Sequence, residues 1–91
     1  MSSIPEAANP SPTPTREQID EESRQIRRLR IAVNLTMQVI AEGGASLAEA
    51  MEMAAATRRL ALSLFPGKED VYEIIYGSKF RRLIASIYHL N

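Results

Sequence analysis

The chain predicts an all-α fold, a small bundle of three to four helices behind a disordered proline-rich N-terminal tail. Three observations carry this. Two capping boxes, Thr15-Arg16-Glu17-Gln18 and Ser46-Leu47-Ala48-Glu49, each stand ahead of a run with helical apolar spacing. The helix breakers fall between those runs, at Gly43-Gly44 and Pro66-Gly67. No segment shows the strict alternation of a half-buried strand, and no repeat of 20–50 residues is present.

Residues 1–14, MSSIPEAANPSPTP, hold four of the five prolines. Proline lacks a backbone donor and turns the preceding residue away from helix. Too little apolar material is present to offset the cost of ordering, so this stretch reads as a disordered, solvated tail. The helical bundle domain is expected over residues 15–91.

The first helix starts at Thr15. Its hydroxyl can accept an orphan amide, and Gln18 can reach back to the cap. Glu17, Asp20, Glu21 and Glu22 occupy the first turns, where the helix dipole favours acids. Asp20 and Arg24 are spaced as an i,i+4 ion pair. Ile19, Ile26, Val33 and Ile40 repeat every seven residues and form one apolar stripe, joined by Leu29 and Met37. After Leu29 a second face turns apolar through Ile31, Leu35 and Val39. The N-terminal half therefore reads as a one-sided surface helix and the C-terminal half as more deeply buried. Gly43-Gly44 ends it.

The second helix follows Ser46, in LAEAMEMAAATRRLALSLF, a segment of high intrinsic helix propensity. Leu47, Met51, Ala54, Ala55, Arg58, Ala61, Leu62 and Phe65 share one broad side. The many alanines let a neighbouring helix approach closely. Pro66-Gly67 stops it.

The third helix begins near Lys68, with Glu69 and Asp70 at its positive end. Val71, Ile74 and Ile75 form one apolar cluster, and Tyr72 and Tyr76 are an i,i+4 pair. Gly77 is either a break, as a C′ residue with Ser78 as the next N-cap, or a kink. The choice decides between three helices and four. The last helix runs from about Lys79 to Leu90, with Phe80, Leu83, Ile84 and Ile87 inward.

Composition narrows the function classes. Eleven basic residues balance eleven acidic ones, which argues against a strongly basic, whole-surface nucleic-acid binder. The charge is nonetheless segregated. Arg24, Arg27, Arg28 and Arg30 follow an acid-rich start without an intervening acid. The absence of cysteine excludes disulfides, thiolate metal sites and cysteine nucleophiles, and fits a cytoplasmic protein. The opening residues have neither the basic nor the apolar segment of a signal peptide. The apolar run at 31–41 is shorter than the ~20 residues that span a bilayer. No membrane role is expected.

Catalytic, cofactor and metal sites are not expected either. His89, the single histidine, has no second imidazole or clustered carboxylates to share a metal with. Glu49 and Glu52 are accounted for by capping and solubility, and Glu69, Asp70 and Glu73 by the helix dipole. The Glu42-Gly43-Gly44-Ala45-Ser46 loop is a weak phosphate cradle, because it contains an acid and no base. Residues 46–63 resemble a helix-turn-helix only loosely, since Met53 to Thr57 contains no turn residue.

Two non-enzymatic readings remain. The favoured one is a small interaction or regulatory protein that self-associates as a homodimer or binds a protein partner through apolar helix faces. Its candidate interface residues are Ile31, Leu35, Val39, Met53, Tyr72 and Tyr76, types enriched at interfaces or left over from a small core. The alternative is a DNA- or RNA-binding regulator that presents Arg24, Arg27, Arg28, Arg58, Arg59, Arg81 and Arg82 to phosphate. Zero net charge favours the former.

Overall fold

A computed structural model describes residues 15–89. The expected N-terminal tail, 1–14, lies outside the described residues, as does Leu90. Helix α1 spans Arg16–Ala41 and α2 spans Leu47–Leu64. Helix α3, Glu69–Tyr72, runs through a π-helical turn, Glu73–Gly77, straight into α4, Ser78–Ile87. The described residues contain no strand.

Both capping boxes form. The Thr15 hydroxyl accepts the Gln18 amide at 3.1 Å, and the Gln18 side chain takes the Thr15 amide at 2.8 Å. Ser46 and Glu49 repeat the arrangement at 3.1 and 2.8 Å. Each satisfies two donors that the helix leaves orphaned, a contribution of about 1 kcal/mol per cap. At the other ends, Gly43 and Gly67 take left-handed φ values of 77° and 79°, where a side chain would be strained.

The core draws Leu29, Val33 and Ile40 from α1, Ala50 and Ala61 from α2, and Tyr72, Phe80 and Ile84 from the last rod. Ala50 and Ala61 let α2 lie close to α1, as small residues do at helix contacts. Thr57, buried at that contact, donates to the Met53 carbonyl at 3.0 Å and lies 3.3 Å from the Thr36 hydroxyl. The Tyr88 hydroxyl donates to the Ala45 carbonyl, which ties the end of the rod to the α1–α2 loop.

Four expectations are corrected. The apolar stripe of α1 is only half covered: Val33 and Ile40 are buried, but Ile19 and Ile26 are 50% and 43% exposed. From Thr15 to Arg28 only Gln25 is even partly buried, so roughly 20 Å of α1 extends past its neighbours, at 1.5 Å per residue. The second apolar face, Ile31, Leu35 and Val39, is exposed rather than buried. On α2 Ala61 is buried as expected and Leu47, Ala54 and Phe65 pack half-buried against the core, but Ala50 and Thr57 are also buried and Met51 is mostly exposed. Arg24 pairs at 2.7 Å with Glu21, three residues before it, and not with the expected Asp20.

Gly77 is a kink. Its φ and ψ are −58° and −43°, ordinary helical values, so it is no C′ residue. The Ser78 amide donates to the Glu73 carbonyl five residues back, the defining bond of a π turn, and the Ser78 hydroxyl turns to the Ile74 carbonyl at 3.4 Å. The rod ends at Ile87, three residues short of the expected Leu90.

Candidate interaction surface

The extra turn-width of the π segment decides which face of the rod looks inward. Tyr72 is buried and Tyr76 half-buried, their ring centroids 5.7 Å apart. Val71, Ile74 and Ile75 are left in solvent, with Ile74 76% exposed. Of the six candidate interface residues, Tyr72 is therefore core and unavailable to a partner. Tyr76 and Met53 are half-buried. Ile31, Leu35 and Val39 are 51%, 58% and 46% exposed.

Those three residues follow one another at i,i+4 spacing, which advances by about 40° per step on a helix of 3.6 residues per turn. They form one ridge on the side of α1 turned away from Val33 and Ile40. Arg28 and Glu42 fall on the same side, each seven residues from Leu35. A heptad shifts direction by only about 20°. Both are exposed, and neither has an ion-pair partner among the described residues. The helix end of this ridge continues into a shallow groove where Val39 and Met53 lie beside Glu42, Glu49 and Glu52. The ridge thus runs from arginine, through three bare aliphatic side chains, to a carboxylate cluster.

A second feature lies between α2 and the rod. Met51, Ala54, Ala55, Phe80 and Ile84 line an apolar cleft of about 320 Å³. Glu73 bridges its mouth: Oε1 accepts from Arg81 at 2.7 Å and Oε2 from Arg58 at 3.2 Å. The hydrogen bond from Arg81 is the largest influence and holds the Glu73 carboxyl below its usual pKa; burial opposes it, and the hydrogen bond from Arg58 adds to the lowering. Gly77 makes room for this. A Cβ there would stand 2.2 Å from Oε1 of Glu73. The Tyr72 hydroxyl, also at the cleft, is buried without a hydrogen-bond partner among the described residues. Burial, aided by the neighbouring Glu73 charge, pushes its pKa up to about 12.

The arginines are dispersed among carboxylates. Arg24 holds Glu21, Arg59 holds Glu52 at 2.6 Å, and Arg58 and Arg81 share Glu73. Arg27, Arg28 and Arg82 carry no such pair among the described residues. The weak phosphate cradle is occupied by the chain itself, because the Glu49 carboxylate takes the Ser46 amide. Helix α2 is unbroken through Met53 to Thr57, which removes the helix-turn-helix resemblance. His89 is exposed beyond the last helix. No group of three or more metal-ligating side chains gathers among the described residues, and no helix there is long and apolar enough to cross a membrane.

Two residues that matter to these surfaces escaped the sequence reading. Glu73 read as a dipole acid, and Glu42 as part of a turn. The i,i+4 spacing of Glu73 and Gly77 is a local signal for the first. The equal spacing of Arg28 and Glu42 about Leu35 is one for the second. Comparison with known proteins finds no matching family model, no matching curated protein and no matching solved structure.

Proposed function

We propose that this protein is a small non-enzymatic interaction or regulatory protein that self-associates through the outward face of α1. One observation carries the reading: Ile31, Leu35 and Val39 stand side by side on a regular helix and are about half exposed. Burying apolar surface stabilises association at about 25 cal/mol per Å² before the costs of association are met. Polar side chains at these positions would serve an isolated domain equally well, since a solvent-facing helix side gains nothing from Ile, Leu or Val. The long α1 supplies a straight, rigid platform, which lowers the ordering cost of forming an interface.

The alternative, nucleic-acid binding, has less support. Four of its seven arginines already hold carboxylates, and a phosphate must displace those or settle for Arg27, Arg28 and Arg82. Light scattering over a concentration series tests the first reading: the mass should rise toward two chains. A titration of fluorescent duplex DNA tests the alternative. Phosphate binding weakens steeply with salt, so absence of binding at about 50 mM salt ends it.

A further inference from the structure

We infer that two copies of the chain pair antiparallel along α1, with the two-fold axis beside Leu35 and Arg28 of each copy against Glu42 of the other. This rests on the self-association reading and adds the partner's orientation and register to it. In a two-fold interface the same patch appears on both sides, so a residue n positions before the axis meets one n positions after it. Ile31 then meets Val39 of the second copy, and Leu35 meets its own equivalent. Arg28 and Glu42, equally spaced on either side, come opposite each other twice.

Charge fixes the orientation. A parallel pair would set Arg28 against Arg28 and Glu42 against Glu42, two like-charge contacts. The antiparallel pair converts both into attractions. The surroundings reinforce this: Arg24 lies one turn before Arg28, while Glu49 and Glu52 flank the groove beside Val39 and Glu42. The Arg28 turn of one copy therefore lies along the carboxylate cluster of the other. The middle is free of conflict, because the only charged residue from Leu29 to Ala41 is Arg30, and it points about 140° away from the Leu35 direction. Arg28 and Glu42 hold no ion-pair partner among the described residues, so engaging them breaks no pair there.

The test reverses the two charges singly and together in the full chain, with dissociation measured by sedimentation at about 50 mM salt. Arg28→Glu and Glu42→Arg should each weaken the dimer about tenfold, because each turns two attractions into repulsions. The double variant Arg28→Glu/Glu42→Arg should return to within about twofold of the parent. Circular dichroism should be unchanged, since both positions are exposed. A Leu35→Cys variant in this otherwise cysteine-free chain should also oxidise readily to a covalent dimer. A dimer whose double variant is as weak as the singles overturns this register while leaving self-association standing. A parent chain that stays at one-chain mass overturns the self-association reading itself.

Discussion

Replacing Gly77 by Ala sets a known helix preference against a specific contact, and the two can be weighed. Gly77 has helical dihedrals, so alanine there should stabilise by about 1 kcal/mol through backbone entropy alone. The new Cβ, however, would sit 2.2 Å from Oε1 and 2.7 Å from Cδ of Glu73. The carboxylate must retreat by about 1 Å to reach ordinary contact, which pulls it from Arg81 and Arg58. Both ion pairs are partly exposed, with the Glu73 side chain at 38%, so each is worth about 0.2–1 kcal/mol. Gain and loss nearly cancel, and Gly77→Ala in the parent should change stability by less than about 0.5 kcal/mol. In a Glu73→Ala background no carboxylate needs to move. There the same substitution should stabilise by the full ~1 kcal/mol. Urea unfolding followed by circular dichroism, at one fixed protein concentration, gives all four corners of the cycle. Equal effects in the two backgrounds would refute the claim that Gly77 is there to seat Glu73.

Four further outcomes rest on Tyr72, Glu73 and the Ser46 cap. Tyr72→Phe should stabilise by about 1 kcal/mol, because it removes a buried hydroxyl that has no partner. The parent should also lose stability as pH rises from 10 toward about 12, since the folded state resists ionising Tyr72, and the phenylalanine variant should lose less in that range. Glu73 acts at the opposite end: its folded pKa is depressed, so its contribution is present above the ordinary value of 4.5 and fades as pH falls below it. An acid titration of stability should be flatter for Glu73→Gln. Ser46→Ala should cost about 1 kcal/mol in thermal or urea unfolding, because the α2 capping box loses its acceptor.

The parts of the fold that local chemistry dictates were legible in the sequence. A capping box involves residues three apart, so Thr15 with Gln18 and Ser46 with Glu49 announce their helices without outside help. Gly43 and Gly67 stop helices by their own backbone freedom. What escaped depends on lengths and distant partners. Ile19 and Ile26 carry the same period as Val33 and Ile40, yet α1 has 26 residues and α2 has 18, so nothing among the described residues packs over the first turns. The pattern cannot register that mismatch. Gly77-Ser78 looks like a cap because the pair usually is one. Here Glu73 is drawn to Arg58 on another helix and Arg81 two turns on, and the glycine serves that placement. The choice between the tyrosine face and the Val71, Ile74, Ile75 face was equally nonlocal, since both are apolar at helical spacing. Of the candidate interface, the α1 trio was legible as an apolar face beyond one helix side's needs, but its arginine-to-carboxylate polarity emerged only once Glu42, Glu49, Glu52 and Val39 came together.

On the proposed function, the outward α1 face is covered by a second copy. Sedimentation velocity on the parent and on Leu35→Asp tests it most directly, because Leu35 is 58% exposed and an aspartate there leaves the monomer fold intact. The parent should move from 10.1 kDa toward twice that mass as concentration rises to about 100 μM, and Leu35→Asp should remain at one chain throughout. A parent that holds at 10.1 kDa across the whole range, indistinguishable from Leu35→Asp, would contradict the account.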